Sequence, residues 1–186
     1  MSKKRQDILF KAIELFNEFG YTNVGIDKII FESKVAKMTF YKYFPSKENL
    51  IHESLRLRDS LLRESINNYL NLNQVNDINK LKLFFDWHEN WFNSQDFFGC
   101  MFIKVVDELP HDDEAFTIAM NHKNWATERI FYILEGMNIK NPESLAFQIR
   151  FILDGAIVNE NLFKDKLAVK NAWKVVEELV LSRVEQ

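Results

Sequence analysis

Apolar residues recur along most of the chain at three- and four-residue spacing, the period of a helix with one buried face. Ile8, Ala12, Leu15, Phe16 and Phe19 share such a face, and Gly20 follows where a helix end takes glycine. Ile26, Ile29 and Ile30 mark a short second helix, with Gly25 as N-cap and Asp27 in its first turn. A third short helix, Lys37–Phe44, must stop before Pro45, because a residue preceding proline avoids the helical region. Ser46 caps a long helix over about 47–71 that carries two apolar stripes and therefore predicts contacts on two sides. Six Asn within residues 67–79 favour turn chemistry and predict a loop at about 72–77.

Helices are expected next at about 78–93, 100–107 and 113–135, with Asp112 or Asp113 capping the last and Gly136 stopping it. Asn141-Pro142-Glu143 is a compact start signal for a helix to about 163, and a final helix covers about 168–184. Both are apolar nearly all round, so each needs burial on two sides. No strand alternation and no fixed repeat is present. The expectation is an all-α protein of about nine helices. Residues 1–46 read as a three-helix helix-turn-helix head, and residues 47–186 as a second helical domain.

Composition adds little beyond a globular class: 186 residues, 47% hydrophobic and 27% charged, with few glycines (5) and prolines (3). A single Cys excludes an internal disulfide framework and fits a reducing, cytoplasmic setting. No apolar run approaches the ~18 residues of a membrane span. Charge changes the picture more. The chain is −3 overall, yet residues 1–50 hold nine basic against six acidic side chains. A basic head on an acidic body points the head toward nucleic acid.

In a helix-turn-helix the second short helix enters the major groove. Here it reads Lys37-Met38-Thr39-Phe40-Tyr41-Lys42-Tyr43-Phe44. Phe40 and Phe44, four apart, face the core of the head. Lys37, Met38, Thr39, Tyr41, Lys42 and Tyr43 are left outward, a face with Lys, Thr and Tyr and no acid, as a phosphate-lined groove requires. A merely solvated basic face is the plainer alternative. Lys3, Lys4 and Arg5 read either as a mobile basic arm on DNA or as a solubilising terminus.

Gly20-Tyr21, Ile26-Asp27-Lys28-Ile29 and the run Val35 to Leu50, with its Thr39-Phe40-Tyr41-x-x-Phe44-x-x-Lys47-x-x-Leu50 string, resemble the N-terminal domain of TetR-type transcriptional regulators. The resemblance covers about residues 5–52. Phe98-Gly99-Cys100-Met101-Phe102 and Leu153-Asp154-Gly155-Ala156 resemble segments of one branch of the family's C-terminal domain. The resemblance implies base-edge contacts from Lys37, Met38 and Thr39, and phosphate contacts from Tyr41, Tyr43 and Lys47. It also implies a homodimer through about 142–184 on double-stranded operator DNA, and release of that DNA when a small-molecule effector binds. The chain departs from the family pattern in several places. Gly25 replaces Thr or Ser, Ile30 replaces Ala, Tyr43 stands where His or another aromatic is usual, and Ser33-Lys34-Val35-Ala36 replaces Ala-Gly-Val-Ser. Losing that Gly predicts a reshaped turn, and losing the Ser removes a cap worth about 1 kcal/mol.

The region from Phe84 to Phe131 carries more aromatic side chains than a bundle core needs. Trp87, Trp91, Phe102 and Trp125 are candidate walls of an apolar effector cavity, with His88 and His122 as its polar groups. Core packing is the alternative for each. Catalytic and metal readings find no support. The four His form no i, i+4 pair, and Glu108-Leu-Pro-His111 is broken as a helical motif by Pro110. There is no glycine-rich phosphate loop. Cys100, after Gly99 at a helix start, reads as a small buried hydrophobe before it reads as a reactive thiol. No cofactor is expected. The rival functions are a helical enzyme or carrier with a vestigial head, and a constitutive DNA binder without effector.

Overall fold

The protein is described by a computed structural model, which covers residues 2–72 and 77–184. Nine α-helices occur among the described residues: α1 Lys3–Phe19, α2 Ile26–Glu32, α3 Lys37–Tyr43, α4 Lys47–Leu72, α5 Asp77–Phe92, α6 Met101–Glu108, α7 Asp113–Glu135, α8 Pro142–Phe163 and α9 Ala168–Leu181. The one β element among these residues is an isolated antiparallel bridge between Ile139 and Val184. That pairing turns the backbone out of α9 earlier than the periodicity suggests. Most of the expected loop at 72–77 lies outside the described residues.

Local chemistry explains most boundaries. Gly20 takes φ 82° and ψ 168°, a backbone conformation essentially reserved for glycine, and donates its N–H to the Phe16 carbonyl. A Cβ here would also lie 2.6 Å from Glu108 Oε1. Ser46 Oγ accepts from Asn49 N–H at the start of α4. Asp112 Oδ1 accepts from Ala115 N–H at the start of α7, so Asp112 rather than Asp113 is the cap. After Glu135 the left-handed turn falls on Asn138 (φ 51°), not on Gly136.

The chain divides into two compact units. The first comprises residues 1–62 and 100–122, the second residues 63–99 and 123–186. The expected head–body boundary at 46/47 therefore falls inside the first unit. That unit buries Ile8, Leu9, Phe16, Tyr21, Ile29, Phe40, Phe44, Leu50, Leu55, Phe102 and Val105. Phe19, expected in this core, is 43% exposed. Its ring instead carries the Lys28 ammonium at 3.7 Å, because α1 turns its last residue past α2. Lys3–Arg5 are helical rather than a mobile arm: Ser2 Oγ caps α1 by accepting from Arg5 N–H at 3.3 Å, and the Arg5 guanidinium pairs with Glu53.

In the second unit α9 packs on both α5 and α8. α8 is apolar on two faces, but the chain buries only one of them. Leu145, Ile149, Leu153, Ala156 and Ile157 are buried, while Phe147, Phe151, Val158 and Leu162 are 48–69% exposed. At ~100° per residue those four residues form one stripe opposite the buried set. Gly155 lies on the same stripe, with open space where its Cβ would be. Asp154 holds both Lys123 (2.5 Å) and Arg150 (2.7 Å).

Candidate nucleic-acid interface

α3 has no side-chain cap. Ala36 occupies the N-cap position, and its carbonyl accepts from the N–H groups of Thr39 (2.8 Å) and Phe40 (3.1 Å). The preceding turn is closed by Ser33, whose N–H and Oγ both donate to the Ile29 carbonyl, at 2.9 and 2.6 Å. Lys34 adopts φ 54°, so a non-glycine residue holds the left-handed conformation this turn requires, at a cost of about 1–2 kcal/mol.

Burial orients α3. Phe40 and Phe44 are fully buried, their ring centroids 6.0 Å apart. Counting ~100° per residue from Phe40, Met38 and Lys42 lie on the outermost line, with Tyr41 and Lys37 to one side and Thr39 and Tyr43 to the other. Exposure follows that order. Met38 is 85% exposed, Lys37 and Lys42 are exposed, Tyr41 is 43% exposed, and Thr39 and Tyr43 are half-buried. Tyr41 leans edge-on against Phe40 at 5.3 Å. Lys37 Nζ sits 3.3 Å from Asp27 Oδ1. Both side chains are mostly solvated, so this pair contributes little and yields readily to a phosphate. Lys47 is half-buried at the start of α4, its Nζ 3.4 Å from the Thr22 carbonyl. The seven expected residues thus lie on α3 and the first residue of α4, all within the first unit.

Several residues that secure this unit carry no signal in the sequence. Tyr21 is fully buried and its hydroxyl donates to the Met101 carbonyl at 3.0 Å. Burial, then the nearby Cys100 and Glu108, holds its phenol well above the usual tyrosine range. Glu108 Oε2 accepts from the N–H and Oγ1 of Thr22, at 2.8 and 2.9 Å. Lys104 Nζ donates to the Asn17 carbonyl at 2.6 Å, and burial lowers its ammonium's pKa. His52 Nε2 lies 2.8 Å from both oxygens of Asp112. Burial raises the Asp112 pKa, but the Ala115 N–H and His52 outweigh it and hold the carboxyl below its ordinary value. Only the capping residue among these could be anticipated, because every other partner lies 60 or more residues away along the chain.

The six expected effector residues fall into three groups. Trp87, His88 and Trp91 lie on α5 in the second unit. The Trp87 indole donates to Ser65 Oγ at 3.0 Å, and His88 Nδ1 donates to the Phe84 carbonyl at 2.8 Å. The Trp91 ring packs tilted against Trp87 at 6.0 Å and edge-on against Phe97 at 5.0 Å. Its buried Nε1–H has no hydrogen-bond partner. Phe102 and His122 stack in the first unit at 3.8 Å and 13°, with His122 Nδ1 2.8 Å from Asp59. Trp125, in the second unit, lies under the Arg63 guanidinium at 5.1 Å. A groove of about 750 Å³ in the first unit is walled by other residues, among them Glu48, Ile51, His52 and Pro110. Among the described residues no group of three or more His, Cys, Asp or Glu is arranged to hold a metal ion. No described helix is long and apolar enough to cross a membrane.

Comparison with known proteins agrees with this head and this helical order. The family described as "Bacterial regulatory proteins, tetR family" matches residues 8–54. The uncharacterised HTH-type transcriptional regulator YuxN of Bacillus subtilis (strain 168) is 28% identical over 160 residues, 83% of this chain and 53% of that protein. The chain thus spans about half the length of this curated relative. The structure of SCO4454, a TetR-family transcriptional regulator from Streptomyces coelicolor, superposes with a TM-score of 0.91 at 22% identity, covering 98% of this chain and 96% of that one. The reduced form of E. coli NemR superposes with a TM-score of 0.83 at 18% identity, covering 95% and 97%. The head thus matches the tetR family of bacterial regulatory proteins in sequence over residues 8–54, and the helical fold as a whole is similar to that of TetR-family structures.

Proposed function

We propose that this protein is a ligand-responsive transcriptional regulator that binds double-stranded operator DNA as a homodimer. It acts as a repressor that releases DNA when a small apolar or aromatic molecule binds its C-terminal domain. The observation that carries the DNA reading is the outer face of α3: acid-free and displayed by the buried pair Phe40 and Phe44. Lys37, Met38 and Thr39 reach base edges, while Tyr41, Lys42, Tyr43 and Lys47 hold phosphates. Residues 1–46, with Lys47 at their edge, carry the DNA contact, and the rest of residues 47–186 carries ligand binding and dimerisation.

Dimerisation is supported by the exposed stripe Phe147, Phe151, Val158 and Leu162 on α8, joined on α9 by Val175 (49% exposed) and Leu181 (60% exposed). A second copy is its occupant. A two-fold interface uses the same patch twice and sets two heads roughly 34–36 Å apart for successive major grooves. Effector binding is assigned to the second unit, where Trp87, His88, Trp91 and Trp125 lie, supported by the density of aromatic rings and the unpaired indole N–H of Trp91. Switching requires the effector to favour one spacing of the heads over the other, and α4 carries that change.

The test is duplex binding by gel shift at two salt concentrations. Tyr41→Ala and Lys47→Ala weaken binding to every sequence and flatten its salt dependence, whereas changes at Lys37 or Thr39 alter sequence preference. Wild-type binding by all four variants refutes the assignment. For the effector site, an aromatic ligand quenches tryptophan fluorescence and releases DNA, and Trp125→Ala blunts that response at unchanged apo DNA affinity. Equal loss of DNA binding and thermal stability in Trp125→Ala contradicts it.

A further inference from the structure

We infer that Met38 is a specificity-determining residue that reads the 5-methyl group of a thymine in each operator half-site. The inference rests on the DNA-binding reading above and names the base chemistry that reading leaves open. In a helix-turn-helix the first residues of the recognition helix meet base edges. Met38 is the second residue of α3 and is 85% exposed. It shares with Lys42 the line of α3 that lies almost opposite the buried Phe40. Its neighbours on that surface are Lys37, Thr39, Tyr41 and Lys42, each carrying a polar group; Met38 alone is apolar throughout, and it reaches beyond the short γ-methyl of Thr39. Phe31, the other highly exposed apolar side chain of the head at 78%, sits near the end of α2 rather than on the recognition helix.

A polar contact to the wrong base edge can be bridged by water, but an apolar tip cannot. The major-groove edges offer donors, acceptors and one apolar feature, the thymine methyl. An unbranched thioether on a solvated helix start reaches that methyl, and it pays a desolvation cost against the amino and carbonyl edges of the other bases. Lys37 and Thr39 beside it supply donors for the adjacent pairs. Thymine is therefore selected at the Met38 position, and the discrimination resides in its methyl rather than in its hydrogen-bonding edge.

The experiment selects duplexes from a randomised pool with the full chain and then replaces each enriched thymine by deoxyuridine, which removes only the methyl. One thymine position per half-site becomes sensitive, with wild-type affinity falling about fourfold per half-site on loss of the methyl. Met38→Ala binds the thymine duplex more weakly and no longer distinguishes it from the deoxyuridine duplex at that position. Met38→Gln moves the preference there toward adenine, whose N6 and N7 fit a side-chain amide. Because Met38 is exposed, both variants keep the wild-type melting temperature. If no thymine is deoxyuridine-sensitive, or Met38→Ala retains the sensitivity, the inference is wrong while DNA binding stands. If the selection enriches no sequence, the DNA-binding reading fails and takes this inference with it.

Discussion

Replacing Phe151 by Asp separates assembly from folding. Phe151 is 60% exposed in the single chain, so removing its ring leaves the core of the second unit intact. Its main intramolecular contact is the Arg150 guanidinium, 4.2 Å from the ring centroid, a solvated cation–π pair worth about 0.5–1 kcal/mol. If the exposed stripe of α8 is the dimer face, association buries the rest of that ring. A Phe carries roughly 200 Å², so about 120 Å² per copy leaves water, worth ~3 kcal/mol at ~25 cal/mol per Å². The two-fold doubles the loss to ~6 kcal/mol, about four decades in the dimer Kd. Light scattering over nanomolar to micromolar protein reads this as a dimer for wild type and a monomer for Phe151→Asp, which keeps wild-type helicity by circular dichroism while its melting temperature loses the concentration dependence that association gives wild type. Operator affinity falls with it, because two heads no longer bind as one. Val176, fully buried within its own unit, reports on folding instead. A Phe151→Asp protein that stays dimeric at wild-type concentration, or a wild type that is monomeric at micromolar concentration, refutes the reasoning.

Three further outcomes follow from named contacts. Lys34→Gly relieves a left-handed lysine (about 1–2 kcal/mol) against a glycine entropy cost of about 0.5–1 kcal/mol. Ala36→Ser restores a cap worth about 1 kcal/mol, so the double variant melts several degrees higher by calorimetry; a lower melting point contradicts the turn geometry. Asp112→Ala loses both the α7 cap and the His52 bond, about 2–3 kcal/mol together. The folded Asp112 carboxyl titrates below its unfolded value, so its stabilisation is present above about pH 4 and fades as pH falls through the lower folded value. Acid unfolding of the variant should therefore be shallower than that of wild type. Tyr21→Phe loses about 1 kcal/mol with its hydrogen bond to Met101. Because the folded phenol titrates above its unfolded value, wild type also loses stability as pH rises past about 10; the variant, followed by circular dichroism, does not share that component.

The helices were legible because their ends are written locally: Gly20, Pro45, Ser46, Asp112 and Asn141-Pro142 each act within one turn of the backbone. The outward face of α3 was legible for a similar reason, since two phenylalanines four apart fix the rotation of a seven-residue helix. What stayed hidden depends on residues distant in sequence. Tyr21 and Met101 are 80 residues apart, Thr22 and Glu108 are 86 apart, and no period links them. The count of apolar residues on α8 suggested two buried sides, yet this chain covers only one of them, and only neighbouring helices decide which stripe that is. Phe19 followed the helical period and still left the core, because its ring packs under Lys28. The left-handed Lys34 was hidden in a different way: the missing glycine predicted a reshaped turn, and the backbone instead accepts strain at a lysine.

The central claim is that the outer face of α3 binds duplex DNA as one half of a two-fold reader. Fluorescence anisotropy on a selected duplex, titrated across salt concentrations for wild type and Lys42→Ala, tests it most directly. Lys42 is exposed on α3, so its loss leaves the fold untouched. Wild type should bind tightly and salt-dependently at one dimer per duplex. Lys42→Ala should lower the slope of log K against log salt by about two, one phosphate contact per protomer. Binding no tighter than to random duplex, or an unchanged slope in Lys42→Ala, would contradict it.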